Sequence, residues 1–350
     1  MKKKYIFLIL AILLLFINTS SNLINTIVYS IGIIPLAILL GDLTSRLSQY
    51  IGEKRGGLLA ATIGNFPELM MGVWSISLGM IPMVKSALIG SIISNMLLVL
   101  GISIFCGGVN HREQRFNKLI ARTNFNMLLL AMSAMVVMLS IDSYSKVSSG
   151  VMFSISIKVS VVLICVYILG LIFSLYTHSN LFVVSEGKEE RIISIDDKKR
   201  KRAIVLEIII NSALLFLMSE KLILNINELV NYHNLSQEFI GIILIPILGN
   251  IGENVAAIMS AAKNKVNMSL EIAIGSSIQI ALFVTPLLII FSYFSGTHMN
   301  FVFSNYQIIM SAIAIAMSFF VFQDGKTYWL EGAILIAIYT MITMGYYYLV

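Results

Sequence analysis

The chain has 350 residues, of which 58% are hydrophobic and only 12% charged, with a mean hydropathy of +0.89. Soluble domains are about 25% charged, so this composition excludes a cytosolic enzyme and a disordered chain alike. A net charge of +6 would suggest nucleic acid only if the basic residues shared a face; long apolar runs keep them apart, and no nucleic-acid partner is expected.

A hydrocarbon core about 30 Å thick needs roughly 20 apolar residues per helix. Windows of that kind lie at about 5–18, 25–44, 57–79, 85–106, 119–140, 151–175, 203–224, 239–262, 268–294, 301–322 and 327–349. The composition therefore predicts an all-α polytopic membrane protein with about eleven transmembrane helices. The first window is short and follows Lys2, Lys3 and Lys4, as a signal peptide would, but Asn18-Thr19-Ser20-Ser21 is a poor cleavage site and a retained helix is expected. Cys106 and Cys165 both fall in apolar windows with no metal-site spacing, which marks them as packing residues.

Orientation follows from the lysines and arginines, which gather on the cytoplasmic side of short loops. With the N-terminus inside, twenty of the 24 basic residues fall in inner connections, and only Lys85 and Lys146 fall outside. This predicts a multi-pass protein of the cell membrane with a cytoplasmic N-terminus and an external C-terminus. The longest connection, 176–202, carries Glu186, Glu189, Glu190, Asp196 and Asp197 ahead of Lys198–Arg202. It reads as a solvated linker whose basic end abuts anionic lipid, or as an acidic cation-sensing stretch.

An internal repeat divides the chain. Gly64-Asn65-Phe66-Pro67-Glu68 aligns with Gly249-Asn250-Ile251-Gly252-Glu253 at an offset of 185, and the same offset carries Gly90-Ser91-Ile92-Ile93-Ser94 onto Gly275-Ser276-Ser277-Ile278-Gln279. The first copy runs from inside to outside and the second from outside to inside, so the expected organisation is an N-terminal helix (1–24), a five-helix repeat (25–175), the linker (176–202) and an inverted five-helix repeat (203–350). Inverted repeats are a common architecture of secondary transporters, whose sites lie near the midplane.

Among the 18 acidic residues, nearly all sit in loops or near helix ends, as with Glu207, Glu220, Glu271 and Glu331. Glu68 and Glu253 fall near the middle of apolar spans, where a carboxylate is costly and points to function. Pro67 leaves the Ile63 carbonyl without its helical donor, and Gly64 permits a bend; Pro246, Gly249 and Gly252 loosen the second copy similarly. Carbonyls freed by this unwinding, with Asn65, Asn250, Ser91, Ser94, Ser276 and Gln279, would supply neutral oxygens around the two acids. Two carboxylates, several neutral oxygens and no nearby imidazole or thiolate suit Ca²⁺, which takes six to eight oxygen ligands. At about 5 Å and an effective dielectric near 20, two carboxylates repel by about 3 kcal/mol, so the empty pair resists double ionisation and takes up protons. Calcium and protons then compete for one set of oxygens.

These motifs, with Asp324-Gly325-Lys326 and Trp329-Leu330-Glu331-Gly332, resemble the Ca²⁺/H⁺ antiporters of the cation/Ca²⁺ exchanger superfamily over about 25–350. The resemblance implies alternating access, with Glu68 and Glu253 as the principal cation ligands, helped by the Gly64 and Gly249 carbonyls, and Ca²⁺ and H⁺ as cargo rather than cofactors; homo-oligomeric assembly is left open. It also implies an acidic helix in the middle connection, at 185–197. Two positions depart from the pattern: Asn254 stands where proton-coupled members carry histidine, and Pro67 precedes the first glutamate as in the Na⁺/Ca²⁺ branch. Na⁺/Ca²⁺ exchange is therefore the alternative. A cation channel or an intramembrane enzyme is the alternative from another class, but no aspartate or histidine lies deep in a span and inverted repeats favour a carrier.

Overall fold

Apolar segments without access to water must satisfy their backbone groups internally, and this chain does so almost wholly as helix. The computed structural model describes residues 2–51, 63–145, 147–178 and 195–349. In chain order the elements are α1 (Lys2–Leu15), α2 (Asn22–Ile51), α3 (Phe66–Ser77), α4 (Ile81–Ile93), a π-helical stretch Ser94–Val99, α5 (Leu100–Asn110), β1 (Gln114–Arg115), α6 (Lys118–Tyr144) and α7 (Ser149–Ile172), which ends in a π-helical stretch Phe173–Thr177. There follow α8 (Ile195–His233), α9 (Gln237–Gly249), α10 (Ile251–Ala262), α11 (Val266–Gln279), a π-helical stretch Ile280–Val284, α12 (Thr285–Phe294), α13 (Asn305–Val321), β2 (Lys326–Thr327) and α14 (Trp329–Leu349).

Among the described residues, seven helices are long and apolar enough to cross a membrane, and α9 with α10 forms an eighth candidate bent by 64°. The windows at 5–18 and 301–322 appear as the shorter helices α1 and α13, and 57–62 of the third window lie outside the described residues. Most of the acidic stretch at 185–197 also lies outside them. Helix α8 begins at Ile195, so its first turns occupy the end of the expected linker.

The 185-residue offset seen in the motifs also governs the element boundaries. Helices α3 and α10 begin and end 185 residues apart, as do the starts of α4 and α11 and of α5 and α12. Both α4 and α11 run into a π-helical stretch at the register of Ser94 and Gln279. In each stretch a hydroxyl occupies one loosened carbonyl: Ser318 Oγ donates to Met96 O at 2.6 Å, and Thr285 Oγ1 donates to Ile280 O at 2.7 Å. Such π-helical turns recur at functional sites.

The chain groups into two compact units, each drawing segments from both halves of the sequence. The first contains residues 1–74, 171–235 and 248–253. Within it α2 and α8 lie side by side, Asn211 Nδ2 donating to Leu36 O at 2.9 Å, and the Trp74 indole donates to Phe216 O at 3.2 Å. The second unit contains residues 75–170, 236–247 and 254–350. There Lys85 Nζ donates to Asn300 Oδ1 at 2.6 Å and to Val302 O at 2.7 Å. The antiparallel β1–β2 pair ties the α5–α6 connection to the α13–α14 connection. Beside it Glu113 accepts from Arg115 Nε at 2.7 Å, Lys326 Nζ at 3.1 Å and the Tyr328 hydroxyl at 3.2 Å. The Arg115 and then the Lys326 hydrogen bonds hold its carboxyl at about 2, well below the usual range.

Candidate cation site

The bend expected at Gly64 takes the form of a turn at Gly64 and Asn65, after which α3 opens at Phe66. Proline is tolerated in a first turn, where its missing N–H has no helical partner in any case. The break puts Glu68 in the first turn of α3, and the Leu69 N–H reaches back to Asn65 O at 3.0 Å. The second copy behaves alike. Pro246 weakens the end of α9, the chain bends at Asn250, and Glu253 sits in the first turn of α10. Each glutamate therefore lies at the N-terminal, partially positive end of a helix that starts within its apolar span, a position that favours negative charge.

In the first unit the structure brings Glu68, Gly249, Asn250 and Glu253 together. Glu68 is 5% exposed, Asn65 2% and Asn250 1%, while Glu253 is partly buried. A Cβ on Gly249 would stand 2.5 Å from the Glu68 carboxyl carbon, so only glycine leaves room for that side chain. Asn250 faces the Glu68 carboxyl as a polar neighbour and Glu253 lies within electrostatic range of it. Neither Glu68 oxygen closes a hydrogen bond of ordinary geometry among the described residues. A buried carboxyl left in that condition is costly and is expected to be completed by a proton or a cation.

Ser91, Ser94, Ser276 and Gln279 belong to the second unit. Ser91, Ser94 and Ser276 are buried, and Ser94 and Gln279 mark the junctions with the two matched π-helical stretches. The described residues hold no cluster of three or more histidine, cysteine, aspartate or glutamate side chains of the kind that retains a resident metal. Two of the acids placed near helix ends by sequence, Glu207 and Glu220, lie more than three turns from either end of α8. Glu271 stands near the start of α11, as expected, but its Oε1 is buried and has no hydrogen-bond partner among the described residues. Its spacing of eight from Gln279 was the available signal.

The sodium/calcium exchanger protein family matches residues 5–176 and 204–348. A Ca²⁺/H⁺ antiporter of Aphanothece halophytica is 34% identical over 333 residues, covering 91% of this chain and 88% of that protein. The Ca²⁺/H⁺ antiporter ChaA of Bacillus subtilis is 33% identical over 322 residues, covering 92% and 91%. The crystal structure of the Ca²⁺/H⁺ antiporter protein YfkE superposes with a TM-score of 0.80 at 30% identity, covering 99% of this chain and all of that one. Matched over nearly its whole length by sequence and by fold, the chain belongs to the sodium/calcium exchanger protein family.

Proposed function

We propose that this multi-pass membrane protein, a transporter and not an enzyme, exchanges Ca²⁺ for H⁺ across the cell membrane by alternating access. The observation that carries the reading is the Glu68 carboxyl, buried on Gly249 beside Glu253 with neither oxygen in a hydrogen bond of ordinary geometry. A Ca²⁺ ion supplies the missing charge, and two protons supply it when the ion leaves. A carrier that reorients only in one of these neutralised states is an exchanger. The relatives named as Ca²⁺/H⁺ antiporters support proton as the counter-ion.

In this reading the chain crosses eleven times, as an N-terminal helix and two inverted five-helix repeats, with the N-terminus cytoplasmic and the C-terminus outside. The shared offset of the helix boundaries supports the repeat, and the distribution of basic residues supports the orientation. Glu68 and Glu253 are the charged ligands. Gly64 and Gly249 contribute carbonyls, and Asn65, Asn250, Ser91, Ser94, Ser276 and Gln279 contribute neutral oxygens; the serine and glutamine set is included because of the sequence repeat and the family resemblance. Na⁺ as counter-ion is the second reading, favoured by Asn254 and Pro67.

The test is Ca²⁺ uptake into everted vesicles under an imposed pH gradient, repeated with a Na⁺ gradient. Proton-driven uptake that disappears in Glu68→Gln is the expected result. Uptake driven by Na⁺ alone would replace proton with sodium, and undiminished transport in Glu68→Gln would overturn the site.

A further inference from the structure

The two helices that carry the repeated serine motif differ sharply at two matched positions. The offset of 185 pairs Ser86 with Glu271 and Gly90 with Gly275. In the first copy both are closed off: Ser86 is fully buried and accepts from Gln307 Nε2 at 2.8 Å, and a Cβ on Gly90 would lie 2.5 Å from the Ile242 carbonyl oxygen. That carbonyl is the one Pro246 cannot bond, so α9 presses its freed oxygen against α4. In the second copy neither closure is present. Among the described residues, Glu271 Oε1 is buried without a hydrogen-bond partner, and a Cβ on Gly275 would meet no atom within 4 Å.

Helical periodicity sets Glu271, Gly275 and Gln279 on one face of α11, at i, i+4 and i+8, over about 12 Å of axis. A carboxyl placed there for packing would be satisfied as Ser86 is, because a buried acceptor without a donor destabilises the fold. Its unmet oxygen instead suits a ligand that arrives from outside. The donor is a hard anionic oxygen with an amide oxygen two turns further along, which selects a hard cation. One carboxylate falls far short of the six to eight oxygens of a tight Ca²⁺ site, so the ion would stay largely hydrated and move on. Repeat inversion puts positions 86 and 271 at opposite membrane faces, and only one of them carries a charge.

We propose that Glu271 is a capture carboxylate, which holds the hydrated divalent cation at the cytoplasmic end of the α11 face that carries Gly275 and Gln279. The proposal rests on the exchange reading and on the orientation given above. A carboxylate at the cytoplasmic end of this face raises local cation concentration and speeds loading, leaving the reorientation step alone. It therefore acts on the apparent KM for Ca²⁺ at one face.

The experiment measures Ca²⁺ concentration dependence of proton-driven transport in everted and in right-side-out vesicles, for wild type, Glu271→Gln, Glu271→Asp and Glu271→Ser. At the cytoplasmic face Glu271→Gln and Glu271→Ser are expected to raise KM several-fold with Vmax kept, and Glu271→Asp to stay near wild type. Raising ionic strength should narrow the gap, since the attraction is screened. At the external face KM should not move. An unchanged cytoplasmic KM, an equal shift at both faces, or a fall in Vmax alone would each overturn the proposal, the last by assigning Glu271 a structural role. If the neutral variants do not assemble, a KM for Glu271→Asp and wild type that is insensitive to salt overturns it equally. Wild type and Glu68→Gln run alongside keep the two readings apart: absent proton-driven uptake in wild type defeats the exchange reading, whereas normal exchange with an unmoved KM defeats capture alone.

Discussion

Helices α3 to α5 and α10 to α12 are two renderings of one pattern, and their differences are as informative as their match. Both start a helix two residues before the glutamate, and both lead into a π-helical stretch at one register. Around that shared frame, Gly90 is locked against a backbone carbonyl while a Cβ on Gly275 would meet nothing within 4 Å among the described residues, and a bonded serine stands where the other copy has a glutamate with an unmet oxygen. The comparison teaches that features set by local backbone chemistry repeat, whereas features set by neighbours do not.

The largest expected effect tests the repeated part. Glu68→Gln and Glu253→Gln should each reduce Ca²⁺ exchange in vesicles to background, and substantial activity in only one of them would break the equivalence of the two copies. Next comes Gly249→Ala, whose methyl would collide with the Glu68 carboxyl carbon at 2.5 Å. Overpacking of about 1–3 kcal/mol converts to a fall of about fivefold to 150-fold in apparent Ca²⁺ affinity by isotope uptake. Gly252→Ala is its control, because the methyl there would meet Ala37 O only at 3.3 Å, and it should lose far less.

The non-repeated part is sharpened by stability. Gly90→Ala must displace the Ile242 carbonyl and should lower the melting temperature of detergent-purified protein by several degrees, while Gly275→Ala should leave it unchanged. Equal shifts would remove the asymmetry. Ser86→Ala strips Gln307 of a buried acceptor and should destabilise by about 1–3 kcal/mol in the same melt. The smallest effect belongs to the β1–β2 pair. Glu113 is depressed from 4.5 to about 2, so its contribution is present above the ordinary value and is lost as pH falls from about 4.5 to about 2. A slight difference in melting temperature between wild type and Glu113→Gln near pH 6 should therefore shrink as the pH approaches about 2, and a gap that widens would contradict the assigned hydrogen bonds.

Much of the fold was legible because bilayer physics is strict. A run of apolar residues must become helix, and a repeated Gly-Asn motif with an acid three residues on announces itself against an apolar background. The location of the break was less legible. A proline inside an apolar window predicts a kink, and only the observed helix start at Phe66 shows that Pro67 and Glu68 share a first turn. The packing of Glu68 on Gly249 joins residues far apart in sequence and had no periodic signal. Glu271 was passed over because position relative to a helix end is a poor measure of burial.

By itself the sequence determined the membrane class, the pairing of Glu68 with Glu253, and the 185-residue register, since each depends on hydrophobicity or on residues compared at fixed spacing. Only the tertiary structure decided which glycine admits a carboxyl, which carbonyl presses on Gly90 and which buried oxygen is left unmatched. Those are questions of what lies across a few ångströms of space, and hydrogen bonding and steric exclusion at that range depend on neighbours that a linear pattern does not name.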